Sequence, residues 1–339
     1  MDVSIILLTK NAGEKFPALL KCIFSQKTEL TYEVLVIDSG STDDTLTVAQ
    51  RFPAKITRIK PEEFHHGKTR NLGAGLAAGR ILVYLTQDAL PLNDNWLQNL
   101  TEDLKYPEVA MVIGRQIPWQ YIKPPEKFFY AYYFPDFGLV ISNGRESTSP
   151  QSMSENVKKG HSLALPNLES KGWPYKRSSF RTYYPRKQKK NKFSTGYRDN
   201  VFISNVNSAI RRDVWQQFKF SENIIMTEDK EFANRVLAAG LQIVYQPEAA
   251  VYHAHDFGIR SIFRRSVDYG ISLRQGTVKQ SGSPRPAVFK FIGYLYTETK
   301  YLIDSSYLKW IPYAIMYEVS RYWGTLLGKI GLAKQHKEA

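Results

Sequence analysis

The stretch ILVYLTQDALP, residues 81–91, runs through five apolar or aromatic residues into a single carboxylate, Asp88, and stops at a proline. Residues 81–85 have the composition of a buried strand closed by turn-forming residues. An acid in that position has two readings. It is an ordinary loop aspartate, or it holds a divalent cation at the carboxyl edge of an open sheet, where the ligands of such sheets gather.

Working outward, strand-like and helix-like segments alternate on both sides. Residues 3–8, 33–37 and 56–59 read as strands, and 18–25, 42–51 and 69–78 as helices. Beyond Asp88, Asp94 is expected to cap a helix running to 104, with another strand over 109–113. Strands separated by helices of about 10 residues form right-handed βαβ units, so the expectation is an α/β fold on a mainly parallel sheet.

From Trp119 the alternation fails. YIKPPEKFFYAYYFPDFG (121–138) is aromatic and proline-rich, and NGRESTSPQSMSENVKKG (143–160) is polar without period. The region 120–200 is therefore expected to be an insertion with mobile parts, its aromatics read as core in preference to a groove lining. Order returns with VFISNVNSAIRRDVW (201–215), a strand, turn and helix, then a helix in MTEDKEFANRVLAAG (226–240) and a strand in LQIVYQP (241–247). The expected division is 1–255 for the main domain and 256–339 for a helical, basic and aromatic extension.

The 339 residues carry a formal net charge of +14, and its placement is uneven. Residues 171–200 hold ten Lys or Arg against one acid, and 256–339 hold thirteen against six. A near-neutral body with two basic additions points to an anionic surface or ligand, with nucleic acid and acidic lipid as candidates, or simply to a solvated face. The one cysteine, Cys22, excludes an intramolecular disulfide and reads as a buried apolar residue in a reducing compartment. No secretory signal pattern opens the chain, and no stretch reaches the roughly 18 apolar residues of a membrane-spanning helix, so a cytoplasmic protein is expected.

Two loops suggest phosphate or nucleoside binding without either common nucleotide fingerprint. VLVIDSGSTDDT (34–45) ends a strand on Asp38, whose carboxylate can accept hydrogen bonds from a base or ribose. HHGKTRNLGAG (65–75) brings bases and glycines ahead of a helix, but there is no P-loop spacing and no Gly-x-Gly-x-x-Gly after the first strand.

In this order, ILLTKN (6–11), VIDSGSTDDT (36–45), TRNLGA (69–74), LTQDALP (85–91), SNVNSAIRR (204–212) and TEDKEFANR (227–235) resemble a family 2 glycosyltransferase of GT-A fold. The variants FHHGKTRN, TQDALP and RRSVDYG are most similar to bacterial rhamnosyltransferases of that family. The resemblance spans about residues 1–270 and implies a mainly parallel mixed sheet flanked by helices, with the 120–200 insertion beside an acceptor cleft. It implies donor contacts from Thr9, Asn11, Asp38, Ser39, Arg70, Asn71 and Gln87, with Arg264 and Arg265 closing over a diphosphate or meeting lipid headgroups. Asp88 corresponds to the surviving acid of the family's Asp-x-Asp metal motif, here Thr86-Gln87-Asp88, so the protein holds Mg²⁺ or Mn²⁺ by fewer ligands. Of the two histidines in VYHAHDF, His255 is taken over His253 as a further ligand. Asp229 is implied as the base of an inverting transfer, with Glu228 orienting it or binding acceptor, and Arg235 as a structural partner. Asn205, Asn207 and Trp119 are candidates for the acceptor site.

The activity this implies is transfer of a sugar, L-rhamnose from dTDP-L-rhamnose, to a hydroxyl of a cell-surface glycan or lipid-linked precursor. The rivals are a UDP-hexose transferase, a basic nucleic-acid-binding protein and an inactive scaffold prompted by Thr86. No nucleic-acid partner is expected; contact with an anionic membrane surface and homo-oligomerisation remain open.

Overall fold

The computed structural model describes residues 1–134, 139–141, 203–275 and 287–333. Its first half is β1 (Val3–Thr9), α1 (Phe16–Phe24), β2 (Tyr32–Asp38), α2 (Thr45–Ala49), β3 (Lys55–Arg58), α3 (His66–Leu76) and β4 (Ile81–Thr86). Strands β3, β2, β1 and β4 lie side by side and all parallel. Alternation along each strand feeds two cores. Val3, Ile5, Leu7, Val34, Val36, Val83 and Leu85 pack beneath α1, while Ile6, Leu35, Ile37, Leu82 and Tyr84 face the opposite layer.

After β4 come β5 (Leu90–Pro91), α4 (Trp96–Thr101), β6 (Val109–Ile117), α5 (Pro124–Tyr133), β7 (Leu139–Ile141), β8 (Asn207–Arg211), α6 (Arg212–Phe218), α7 (Glu228–Ala238) and β9 (Gln242–Tyr252). The sheet order is β3-β2-β1-β4-β8-β6-β9-β5, with β7 beside β9. Strand β8 runs antiparallel to both β4 and β6, whereas β6 and β9 are parallel. The sheet is thus mixed, and reversal of β8 brings its leading loop, residues 203–206, to the edge where β4 ends.

Some boundaries moved for physical reasons. Helix α2 is shorter than the expected 42–51 because Thr42 and Asp43 are spent on the loop: Thr42 N–H donates to Asn11 Oδ1 and Asp43 Oδ1 accepts from Thr45 N–H. The expected 94–104 helix begins after Asn95 without a side-chain cap and tightens into a 3₁₀ turn over Glu102–Lys105, and Asp94 pairs with Lys27 at 2.7 Å instead. Cys22 is half-buried against the core. Within the expected insertion, Phe128, Tyr130 and Phe134 are buried, so the core reading of these aromatics holds. The remainder of 120–200, including the 171–200 basic run, lies outside the described residues.

The chain continues with α8 (Ile259–Gln275), α9 (Ala287–Asp304) and α10 (Ile311–Ile330). Helices α8 and α10 meet backbone to backbone. A Cβ at Gly328 would lie 2.1 Å from Val267 O, and one at Gly270 2.2 Å from Thr325 O, so these positions admit no side chain without separating the helices. Buried Tyr317 on α10 donates its hydroxyl to Glu126 on α5, tying the extension to the main domain.

Candidate active site

The carboxyl ends of β1, β2, β4, β6 and β9, the loop before β8 and the N-terminus of α7 share one edge of the sheet, the expected place for a ligand of such a fold. Three groups of side chains occupy it.

The first is Asp88, two residues past β4, with His253 and His255 just past β9. Asp88 Oδ2 is 3.6 Å from His253 Nε2 and 4.0 Å from His255 Nδ1, and one ligand atom from each of the three lies within 4.8 Å of the others. The two separations from Asp88, 3.6 and 4.0 Å, fall within the reach of about 4.2 Å between opposite ligands of an ion coordinating at about 2.1 Å. The buried His253 ring is fixed from behind: its Nδ1 meets Gln116 Oε1 at 2.9 Å, so Nδ1 carries the proton and Nε2 offers a lone pair. A register shift positions both partners. Between Gly114↔Gln246 and Gln116↔Val251 strand β9 takes up extra residues, and His253 N–H is then held by Ile117 O at 3.0 Å. Gly114 permits this, since a Cβ there would meet Asn207 Nδ2 at 2.1 Å and Ala249 O at 2.2 Å.

Burial pushes the His253 pKa down to about 4 and also lowers that of His255, against the pull of Asp88. Both imidazoles are therefore neutral and able to ligate at neutral pH. Burial alone would raise Asp88, but the two imidazoles outweigh it and bring its pKa below the usual carboxylate value. The donor set fits a divalent cation. Both histidines lie beside Asp88, and His253, ranked second on sequence, is the more buried and the more firmly oriented of the two.

The second group is the acid pair at the start of α7. Thr227 precedes it with φ +72°, a left-handed conformation that costs a β-branched residue on the order of 1–3 kcal/mol and that sets the angle at which the pair enters the helix. Glu228 forms an ion pair with Arg70 of α3, both almost fully buried. Asp229 remains partly accessible; its Oδ1 accepts from Lys230 N–H at 2.7 Å and its Oδ2 from Asn205 N–H at 3.2 Å. Burial, then the Glu228 charge, raise its pKa to about 6. Asn205 Oδ1 accepts from Ser208, which leaves Nδ2 a buried donor without an acceptor among the described residues. Thr86 N–H donates to Val206 O at 3.1 Å, so Asp88 lies two positions beyond a contact that adjoins Asn205, whose N–H bonds Asp229. The two carboxylates thus border the same edge.

His66, the helical start of HHGKTRN, joins this group: burial and then Arg70 push its pKa down to about 3, while Asp229 pulls it up. Arg265 from α8 acts on His253, His255 and His66 alike, so its charge reaches both groups. Arg264 is exposed, with no interaction joining it to the site among the described residues. Lys15, at the start of α1, lies 4.3 Å from the Trp119 ring centroid and donates to Tyr121 Oη at 2.6 Å, and its charge also depresses His253.

The third group is the expected donor loop, and here several side chains have partners within the chain. Asp38 has its carboxylate filled by Gly40 N–H, Ser41 N–H, Ser41 Oγ and Thr9 Oγ1, and only 1% of it is exposed. Ser39 Oγ donates to Thr9 O, Asn11 Oδ1 holds Thr42 N–H, and Gln87 bonds both the N–H and the C=O of Lys10. Thr9, Asp38, Ser39 and Gln87 are thus one another's or the loop's partners and shape the edge, whereas Asn11 is exposed there. Asn71 spends both amide atoms on Phe220, Glu222 and Trp215, anchoring residues 215–222 to α3 instead of meeting a donor. Asn207, fully buried, clamps Trp96 Nε1 and Ala249 O, so it is not an acceptor contact. Trp119, 5% exposed, is stacked on Tyr252 at 4.9 Å, which leaves its exposed neighbour Tyr121 as the ring at the surface. Arg235 is structural as expected, bonding Glu231 and Phe218 O.

Comparison with known proteins agrees with this geometry. The model of Glycosyl transferase family 2 matches residues 4–142, and that of Glycosyl transferase family group 2 matches 178–323. O-antigen chain rhamnosyltransferase RfbN of Salmonella typhimurium is 28% identical over 97% of this chain and 90% of its own length. O-antigen chain rhamnosyltransferase WbaN of Salmonella anatum is 29% identical over 96% and 89%. Among solved structures, a mannosyltransferase from Pyrobaculum calidifontis, in complex with GDP-Man and Mn²⁺, superposes with a TM-score of 0.54 at 16% identity, covering 96% of this chain and 87% of that one. A curled mixed sheet between helices, its candidate site at the carboxyl edge, accompanies near-full-length similarity to these enzymes: the chain belongs to glycosyltransferase family 2, with a GT-A fold, and is a glycosyltransferase.

Proposed function

We propose that this enzyme transfers L-rhamnose from dTDP-L-rhamnose, with inversion and with a divalent cation, to a hydroxyl of a glycan or lipid-linked glycan precursor at the cytoplasmic face of a membrane. The observation that carries the reading is the placement of a neutral His-His-Asp ligand set and a carboxylate of raised pKa on one sheet edge. The two rhamnosyltransferase relatives support the donor sugar.

Asp88, His253 and His255 would hold the ion, which neutralises charge on the leaving diphosphate as a Lewis acid. Two imidazoles beside one carboxylate favour Mn²⁺ over the harder Mg²⁺. Arg265 and Lys15 flank that position and bind the diphosphate oxygens. Asp229 accepts the proton of the acceptor hydroxyl as its oxygen bonds the anomeric carbon and the bond to the diphosphate breaks. Asn205 Nδ2 donates to a substrate oxygen beside it, while the Arg70–Glu228 pair and the main-chain bonds to Asp229 fix the base. Asn11 lines the nucleoside end.

A thermal-shift panel tests the reading. With dTDP or dTDP-L-rhamnose plus Mn²⁺ at about 100 times Kd, the expected stabilisation is about 2.7 kcal/mol, and much less without the ion. A shift only with other nucleotides overturns the donor, and no shift with any nucleotide and Mn²⁺ overturns the active site.

The pH profile has a definite sign. Asp229 acts only when ionised, so kcat/KM is expected to fall as pH drops through about 6. Glu228→Gln removes the neighbouring negative charge and frees the Arg70 guanidinium beside Asp229, both of which favour the ionised base. The acid limb of this variant is therefore expected at lower pH. A limb that stays in place or moves up removes Asp229 from the base role.

A further inference from the structure

The two C-terminal helices carry matching apolar stripes that face no other part of the described chain. On α9 the exposed residues are Val288, Phe289, Ile292, Tyr296 and Ile303; on α10 they are Ile315, Met316, Val319, Trp323 and Ile330. The spacing within the two sets is identical, and at 3.6 residues per turn each set falls within an arc of about 100°. Exposure is high: Phe289 62%, Tyr296 72%, Met316 56% and Trp323 52%. Leu308, in the turn that joins the helices, adds to the surface. The rings the helices turn toward each other, Phe291 and Tyr322 at 4.8 Å, lie off both stripes.

Charge is sorted as sharply. Over residues 287–333, Lys290, Lys300, Lys309 and Lys329 are exposed, against one exposed acid, Asp304. Both glutamates of the segment point inward. Glu318 pairs with Arg321, and Glu298 is fully buried, its pKa pushed up to about 9 by burial and by Glu318. An apolar face carrying Trp, Tyr and Phe, set among lysines, is the composition of a helix lying in a lipid–water interface. No helix among the described residues is long and apolar enough to cross a membrane, so the pair would lie on the surface. A second copy of the chain would bring four lysines against four of the same sign, whereas acidic headgroups complement them.

We propose that the α9–α10 hairpin is the docking surface of this enzyme for an anionic lipid bilayer, with both stripes immersed at headgroup depth. The inference rests on the proposed function for its purpose, presenting the catalytic edge to a lipid-linked acceptor, but its geometry stands apart from the site.

The test is sedimentation of the full-length protein with vesicles of phosphatidylcholine, alone or with about 30 mol% phosphatidylglycerol. Wild type is expected to sediment with the anionic vesicles and to be released by salt. Ile292→Glu/Trp323→Glu is expected to lower vesicle affinity at least about tenfold while keeping the thermal shift with nucleotide and Mn²⁺. Lys290→Glu/Lys309→Glu, which touches no packing, is expected to abolish the preference for anionic vesicles. The proposal is overturned by wild type remaining in the supernatant, by either variant binding as wild type does, or by a dimer in light scattering that the glutamate pair at 292 and 323 dissociates. Vesicle binding without any nucleotide response would leave this surface standing and remove the proposed donor site.

Discussion

Asp229→Asn is expected to fold, to bind the nucleotide sugar and to lose about 10²- to 10⁴-fold in kcat, the range that a positioned general base supplies. The substitution keeps the shape, and its amide oxygen retains the 2.7 Å bond from Lys230 N–H; the longer contact from Asn205 N–H is lost. Stability is not at risk through charge. A carboxyl whose pKa is raised on folding weakens the native state once ionised, above its unfolded pKa, and an amide carries no such cost. Melting temperature at neutral pH is therefore expected to be unchanged or higher, and the donor-induced shift to persist, because the residues proposed to hold the ion and the diphosphate are Asp88, His253, His255, Arg265 and Lys15. Measured together, transfer rate and donor shift separate a chemical defect from a binding one. Full transfer by this variant would end the assignment of the base, and loss of both signals would place Asp229 in donor binding.

Much of the fold was legible because buried parallel strands leave a strong trace. The apolar runs of β1, β2 and β4 end on Thr9, Asp38 and Thr86 within a residue of the expected limits. The edge chemistry was legible in type but not in partner. Asp38 carries the composition of a nucleoside contact, yet three donors of its own loop and Thr9 of the neighbouring strand fill it, and nothing in VIDSGSTDDT says whether Ser41 or a ribose will arrive first. Asn71 and Asn207 read as site residues from their motifs, but their amides are satisfied by residues more than 40 positions away, information that local sequence does not contain. His253 was underrated for the same reason: its orientation depends on Gln116 across a register shift between β6 and β9. His66 and Lys15 had no signal of their own, since a histidine in a basic loop and a lysine before a helix are common on surfaces.

That dependence on Gln116 gives the metal prediction its internal control. Asp88→Asn replaces the only anionic ligand of the set with a neutral one, and His253→Ala removes its most buried donor; each is expected to abolish the Mn²⁺-dependent part of the donor shift and to lower kcat/KM by about 10²- to 10⁴-fold, since a Lewis-acidic ion supplies several kcal/mol to the leaving diphosphate. Gln116→Leu leaves all three ligands in place and removes only the acceptor that holds the His253 proton on Nδ1. A ring free to turn or change tautomer binds less well, so Mn²⁺ affinity is expected to fall by about 10- to 100-fold with activity recovered at high Mn²⁺. His255→Ala should rank below His253→Ala, because His255 is more exposed and its contact with Asp88 is longer, 4.0 Å against 3.6 Å. Titration of Mn²⁺ against donor shift and rate for the four variants reads this order directly. If Gln116→Leu binds Mn²⁺ as wild type does while His253→Ala does not, the carbonyl is not the orienting group. If Asp88→Asn keeps its Mn²⁺ response, the ion lies elsewhere and the carboxylate at the end of ILVYLTQD is only a loop residue.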